Sequence, residues 1–197
     1  NEFENVTPPK GLHLIQKKNF LEYCYNWIKI ADSSAHVLLP GMLGTYGYPI
    51  SFSYDWLKTY LSVGGESTFD IFNYHDYNSW WTLPQHLDSF SYILDSFGLT
   101  NTPIWITESS ISSFNGSPIT PSYSSPDQQA ADVWRRISLL WAGGAEVAFW
   151  HSQWSSADMS GWGEFGILNN NTFKHRISSA LNEFYYYNNN EYINSIG

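Results

Sequence analysis

Apolar residues along the chain alternate between two spacings, one typical of amphipathic helices and one typical of buried strands. Between residues 20 and 31 they recur every three or four positions, which predicts a helix over about 17–32. The next apolar run, HVLL at 36–39, is continuous and predicts a short buried strand that ends at Pro40-Gly41. The first unit of the chain is therefore a helix followed by a buried strand.

The same unit repeats three more times along the sequence. Helical spacing predicts helices over 56–61, 84–97 and 125–142, and continuous apolar runs predict strands over 69–74, 103–107 and 146–150. The start of the last of these helices is well marked, with Ser125 as N-cap, Pro126 at the first helical position and Gln128 completing a capping box. A further helix over 177–184 and a loose tail at 185–197 are predicted to end the chain.

Buried strands that alternate with helices predict an α/β fold with a parallel sheet covered by helices. Two architectures fit this order, an open doubly wound sheet and part of an eight-stranded barrel. An open nucleotide-binding sheet usually has a glycine-rich turn after a strand, whereas Gly64-Gly65 and Gly143-Gly144 both precede strands. Long segments follow the strands at 41–52, 75–83, 109–125 and 151–172, as in barrel enzymes, which build their sites from such loops.

Composition and charge narrow the range of functions. The net charge of −9 argues against nucleic acid or an anionic membrane as a partner, because both are bound through basic patches. The single cysteine, Cys24, excludes an internal disulfide and is expected to be a buried structural thiol on the first helix. No apolar run in the 197 residues is long enough to span a bilayer.

Polar and aromatic residues follow three of the predicted strands where each strand ends. They are Glu108 after 103–107, His75 and Tyr77 after 69–74, and Trp150, His151 and Trp154 after 146–150. A carboxylate at the tip of a buried strand is costly unless it is paired or used. Taken singly, His75 is better explained as a core histidine and Trp150 as a core filler. Together they suit a sugar subsite, where polar groups keep the carboxylate ionised and an indole stacks on a pyranose ring.

Four segments resemble the retaining glycoside hydrolases built on (β/α)8 barrels. They are FDIFNYHDY at 69–77, IWITES at 104–109, VAFWHSQW at 147–154 and GEFGILNNNTFKHRISSALNEF at 163–184. The resemblance covers roughly residues 1–184, about half of a barrel that takes about 250 residues. It implies an α/β fold of the (β/α)8 type, of which this chain covers the second half, from the end of strand four through helix eight.

The resemblance also implies roles for the residues at the strand ends. The seventh strand of these enzymes ends in the nucleophilic Glu, which corresponds to Glu108. Their sixth strand carries a His or Tyr that contacts the sugar, which corresponds to His75 and Tyr77, and their eighth often ends in a Trp beneath the sugar, which corresponds to Trp150. His151 and Trp154 are further candidates for substrate binding.

The acid/base Glu of these enzymes follows an Asn at the end of the fourth strand. Asn1 and Glu2 stand in the matching place, so Asn1 is expected to bind substrate and Glu2 to act as acid/base. The implied reaction is a double displacement through a covalent glycosyl-enzyme, with no metal or organic cofactor.

The same residues are compatible with other functions to different degrees. A non-catalytic, carbohydrate-binding relic of a half-barrel is the main alternative, and the position of Glu2 distinguishes the two. A Ser-His-Asp hydrolase is disfavoured because the chain has no G-x-S-x-G turn, and a metal enzyme because its six histidines show no H-E-x-x-H spacing.

Four strands cannot close a barrel, so the chain is expected to form a single partial domain. The strand at 36–39 would then be an open edge, and inward-facing Leu38, Phe72, Trp105 and Phe149 would be uncovered. We therefore expect the chain to need an N-terminal half-barrel segment or a second copy of itself. The cellular location stays open between secreted, lysosomal and other compartments, because a signal would lie in that N-terminal part.

Overall fold

The computed structural model of the chain describes residues 11–44, 50–112, 126–151, 154–155, 165–166 and 168–169. Its helices are α1 (Gly11–Ala31), α2 (Ser51–Ser62), α3 (Leu83–Ser96) and α4 (Pro126–Ala142). Its strands are β1 (Met42–Gly44), β2 (Phe72–Asp76), β3 (Ile104–Ser109), β4 (Ala145–Trp150), β5 (Trp154–Ser155) and β6 (Leu168–Asn169). The predicted helix at 177–184 and the tail at 185–197 lie outside the described residues. No helix within them is long and apolar enough to cross a membrane.

The main sheet has the order β1-β2-β3-β4, and every neighbouring pair is parallel. A helix precedes each of these strands, so consecutive strands are joined by crossovers through the helical layer. The predicted α/β architecture with a parallel sheet is confirmed. Strands β5 and β6 form a separate, short parallel pair.

The first predicted strand was placed too early in the chain. Between 36 and 39 only Leu38 forms a bridge, with Ile71, and the Leu39 N–H donates to the Ile71 carbonyl at 2.9 Å. Regular pairing with β2 begins at Met42, beyond Pro40. Proline lacks a backbone N–H and therefore interrupts the ladder of hydrogen bonds at Pro40. The pairing with β2 does not end there, because it resumes at Met42.

The hydrophobic core lies between the sheet and helices α2 and α3. Phe90 of α3 is fully buried, and its ring centroid lies 5.0 Å from that of Phe72 and 4.6 Å from that of Tyr74. Phe72 therefore faces the helices, and its predicted place on the barrel side is wrong. Ile104 and Ile106 of β3 are buried in the same cluster.

Helix α1 covers the core much less than its apolar pattern predicts. Phe20 is 63% exposed, Trp27 55% and Ile30 72%, and Cys24 is only partly buried rather than a buried thiol. The described residues include no layer that packs over this face. Leu14, at 1% exposed, is buried in the core, and Leu21 packs against it partly buried.

Asp70, just before β2, ties α1 to the sheet. The Tyr25 hydroxyl donates to its Oδ1 at 2.9 Å, and its Oδ2 accepts the Val37 N–H at 2.8 Å and lies 2.8 Å from the Lys29 ammonium. Burial alone raises the pKa of Asp70, but the hydrogen bonds from these three groups outweigh it and hold the pKa below its ordinary value.

Replacing Asp70 with Asn should lower the free energy of unfolding at pH 7 by about 1–2 kcal/mol. Because the folded-state pKa lies below the unfolded value of about 3.9, the carboxylate stabilises the fold above that pH and loses this effect as the pH falls through the folded pKa. The difference between parent and variant should therefore be full at neutral pH and narrow as the pH falls below the unfolded value. Urea unfolding at several pH values tests this, with the exposed Asp88→Asn as control. A difference that does not depend on pH would contradict it.

Candidate active site

Strand β3 contains one more residue than either neighbour near its C-terminal end. Ile106 pairs with Tyr74 and Ala148, and Ser109 pairs with Asp76 and Trp150. Between these two pairs β3 holds Thr107 and Glu108, whereas β2 has only His75 and β4 only Phe149. This arrangement is a β-bulge, which places an extra residue and re-aims the side chains around it.

The contacts of the neighbouring side chains show the effect of the bulge. Ile106 is buried against the helical core, and the Ser109 hydroxyl accepts a hydrogen bond from Arg136 of α4, so both side chains face the helices. Residues three apart on a regular strand would face opposite sides of the sheet. The extra residue allows Thr107 and Glu108 to lie together on the side of the sheet away from the helices, where both reach His75.

The Glu108 carboxylate is surrounded by three side chains from the ends of β2 and β4. The Tyr77 hydroxyl donates to Oε2 at 2.5 Å. The Nδ1 atoms of His75 and His151 lie 3.5 and 4.0 Å from the same oxygen. Tyr77 and His75 are buried, whereas the carboxylate side chain is 30% exposed. The carboxylate is therefore held by buried side chains and remains partly accessible to solvent.

A chain of hydrogen bonds fixes the orientation of the His75 ring. The Thr107 hydroxyl donates to Oδ1 of Asn73 at 2.8 Å, so the same hydroxyl accepts from Nε2 of His75 at 3.0 Å. Nε2 then carries a proton, and Nδ1 faces the carboxylate.

The backbone of Gly41 packs directly against the His75 ring. A Cβ at this position would overlap the imidazole Nε2, so a side chain cannot fit without displacing the ring. The glycine beyond the Pro40 interruption is thus required by this close approach.

Trp150 does not lie beside Glu108 as a stacking platform in the way the sequence suggested. Its ring packs against Val133 and Ile137 of α4, and its indole N–H donates to the Phe165 carbonyl at 3.0 Å. The bulge explains the difference, since Trp150 pairs with Ser109 and shares its helix-facing side.

The remaining predicted residues are only partly covered by the structure. Asn1 and Glu2 lie outside the described residues. Trp154 begins β5, but its side chain is not among those described. The structure therefore brings together Glu108, Tyr77 and two histidines and leaves the second carboxylate unplaced.

Phe165 is a site residue that the sequence interpretation missed. It is 8% exposed, and its ring centroid lies 5.8 Å from that of Tyr77 and 6.1 Å from that of His151. It covers the two side chains that flank Glu108. The sequence offers one signal for it, an isolated aromatic in the segment Gly163-Glu-Phe-Gly166, outside any periodic pattern.

Among the residues that the structure describes, no three His, Cys, Asp or Glu side chains cluster closely enough to hold a metal ion. The chemistry available at these strand ends is that of a carboxylate, a phenol and two imidazoles. Such groups can act as nucleophile, proton donor or proton acceptor.

Comparison with known proteins identifies the class of protein that this fold and site define. Residues 18–137 match the family described as glycosyl hydrolase catalytic core. The match covers more than half of the 197 residues. The chain belongs to this family. Among curated proteins, no sequence matches the chain significantly.

Solved structures of glycosidases share the fold at low sequence identity. A glucosidase from Croceicoccus marinus superposes with a TM-score of 0.62 at 14% identity, over 85% of this chain and 35% of that chain. A thermostable mutant of a xylanase from Cellvibrio japonicus gives 0.59 at 13%, over 84% and 54%. A GH128 exo-β-1,3-glucanase from Aureobasidium namibiae gives 0.56 at 12%, over 86% and 60%.

The chain thus spans between about a third and three fifths of the length of the structures it matches. This partial coverage agrees with the four-stranded parallel sheet, and the prediction of a partial barrel of the (β/α)8 type is confirmed.

Replacing Gly41 with Ala should displace the His75 ring and destabilise the protein by about 1–3 kcal/mol, because overpacking a tight contact forces side chains from their preferred positions. Thermal unfolding measures the effect. In a His75→Ala background the clash is absent, so the same change at Gly41 should have little effect. An equal loss in both backgrounds would show that the imidazole is not what restricts position 41.

Proposed function

We propose that the protein containing this chain is a retaining glycosidase in which Glu108 is the nucleophile. The observation that carries the proposal is the bulge in β3, which turns the Glu108 carboxylate onto the Tyr77 hydroxyl at the C-terminal edge of the sheet. Barrel enzymes place their catalytic groups at that edge. Membership of the glycosyl hydrolase catalytic core family supports the same conclusion.

The contacts of the carboxylate suggest how it would react. The Tyr77 hydroxyl and the two histidine Nδ1 atoms all approach Oε2, so Oε1 is the oxygen assigned to attack. Attack on the anomeric carbon forms a glycosyl ester while the glycosidic oxygen leaves with a proton. Tyr77, by donating to Oε2, keeps the carboxylate oriented.

A retaining mechanism needs a second carboxyl group about 5–5.5 Å from the first. We assign this role to Glu2, which would protonate the leaving oxygen and then activate water as a base. Asn1, His75, His151 and Trp154 are assigned to substrate binding. Trp150, whose ring packs against α4, is assigned to holding the Phe165 backbone instead of stacking on the sugar. No cofactor is needed for this chemistry.

The substrate class proposed is an oligo- or polysaccharide with an O-glycosidic bond. The xylanase and the glucanase that share the fold are named for polysaccharides. A net charge of −9 favours neutral sugars over polyanionic ones, because like charges repel.

Replacing Glu108 with Gln should abolish hydrolysis of an activated aryl glycoside, a loss of at least about a thousandfold, while the thermal midpoint changes little. Gln has nearly the same shape but cannot form the glycosyl ester. Glu146→Gln, the same change at the exposed start of β4, is the matched control.

The covalent intermediate gives a second, independent readout. A slowly released glycoside should leave a sugar ester on Glu108, detected by peptide mass spectrometry. A label on another residue would reassign the nucleophile. Binding of oligosaccharide without turnover by the full-length parent protein would favour the alternative, a carbohydrate-binding relic.

We further propose that a segment outside this chain, or a second copy of it, completes the barrel. On α1 the exposed apolar residues Phe20, Tyr23, Trp27 and Ile30 recur at helical spacing, and Phe149 on β4 is 52% exposed. Apolar surface of this kind is normally covered. The isolated 197-residue chain should therefore sediment as an assembly or fail to fold cooperatively. A soluble monomer with full glycosidase activity would contradict this proposal.

A further inference from the structure

Helix α4 carries a buried cation that the proposed chemistry does not use. Arg136 is 0% exposed, and its Nε donates to Oδ2 of Asp132, also 0% exposed, at 2.8 Å. Burying an ion pair seldom adds stability over apolar residues of similar volume, because desolvation offsets the attraction. A role for the pair other than stability is therefore expected from the remaining contacts of the guanidinium.

The other guanidinium nitrogens contact the two residues on either side of Tyr77. Nη1 donates to the Asp76 carbonyl at 3.3 Å, and Nη2 donates to the Asn78 carbonyl at 2.6 Å. Nη1 also donates to the Ser109 hydroxyl at 3.2 Å, just after Glu108 on β3. One side chain thus connects the Tyr77 turn to the strand that carries the proposed nucleophile.

Further hydrogen bonds restrict the conformation of the turn at Asp76–Asn78. The Asp76 carboxylate, fully buried, accepts the Asn78 N–H at 2.8 Å and a hydrogen bond from Nδ1 of His86 at 2.8 Å. The Tyr77 N–H donates to the Gly44 carbonyl at 2.8 Å. With its backbone fixed on both sides, the Tyr77 ring has little freedom to move away from Glu108.

We propose that Arg136 is a positioning residue that sets the Tyr77 hydroxyl on Glu108. Its planar guanidinium donates to two carbonyls that lie two residues apart, and a single ammonium cannot span them in the same way. The claim that Arg136 fixes the position of the Tyr77 hydroxyl is independent of any activity. The claim that this position affects catalysis rests on the proposed function. A shift of the hydroxyl by about 1 Å can lower a rate about a hundredfold, so the effect should be large.

The direct test is Arg136→Lys, which keeps the positive charge beside Asp132 but loses the two-carbonyl contact. The neighbouring Arg135→Lys is the matched control, because Arg135 is exposed and lies over the Trp80 ring, 5.2 Å from its centroid. With tyrosine labelled by ¹³C at Cζ, the Tyr77 signal is assigned by its loss in Tyr77→Phe. Arg136→Lys should shift or broaden this signal, whereas Arg135→Lys should leave it unchanged.

Activity gives the second readout through a double-mutant cycle in the full-length protein. Arg136→Lys should lower kcat about 10- to 100-fold with little change in KM, because positioning acts after binding. In the Tyr77→Phe background the same change should lower kcat less than about threefold, since the group that Arg136 positions is gone. Equal losses in both backgrounds would show a general structural role and overturn the proposal.

The two readouts separate the failure of this inference from the failure of the proposed function. An unchanged Tyr77 signal in Arg136→Lys overturns the inference whatever the activity. A shifted signal in a protein without glycosidase activity supports the positioning role and refutes the function. If Arg136→Lys does not fold, Asp132→Asn combined with Arg136→Gln removes both charges together, leaves no unpaired buried ion, and is examined in the same two ways.

Discussion

The orientation of the side chains around Glu108 depends on the β-bulge in β3, where two residues lie opposite one residue of each neighbouring strand. A regular strand has a single inward position at that level, which could hold either the hydroxyl that orients His75 or the carboxylate, but not both. The extra residue lets Thr107 and Glu108 share the inner face, while Ser109 returns to the helical side and bonds Arg136. The distortion is held by parallel pairing on both sides and by a buried polar contact beyond it.

Two kinds of interaction stabilise the C-terminal edge of the sheet. Apolar contacts of Phe72, Tyr74 and Phe90 fix the sheet against α3 without specifying where its polar tips point. Polar contacts of Asp76, His86 and Arg136 are fully or nearly buried and directional, and they specify the turn that carries Tyr77. Hydrophobic burial is non-directional, so precise placement of a hydroxyl on a carboxylate needs the second kind.

Much of this fold follows from local pattern, and the parts that do not follow have identifiable causes. Helices α2 to α4 and strands β2 to β4 were predicted within a few residues, because each buries one continuous or periodic set of apolar side chains. Strand β1 was missed because Pro40-Gly41 is typical of a strand end, although pairing resumes beyond it. Bulges have no compositional signal, so the side to which Trp150 turns could not be derived. That Glu108, His75 and Tyr77 lie at the same edge could be predicted from parallel strands ending together, but the side of the sheet to which Glu108 turns depends on the bulge.

The interruption at Pro40 also affects how the sheet can associate. Within the described residues, β1 is the outermost strand and pairs over only three residues, with a proline and a glycine just before it. Long, flat, regular edges recruit any extended chain and lead to aggregation, whereas short edges broken by proline resist it. The open side of this sheet therefore discriminates among the chains that approach it. A three-residue edge offers an incoming strand few backbone groups to pair with, so side-chain contacts must contribute most of the specificity there.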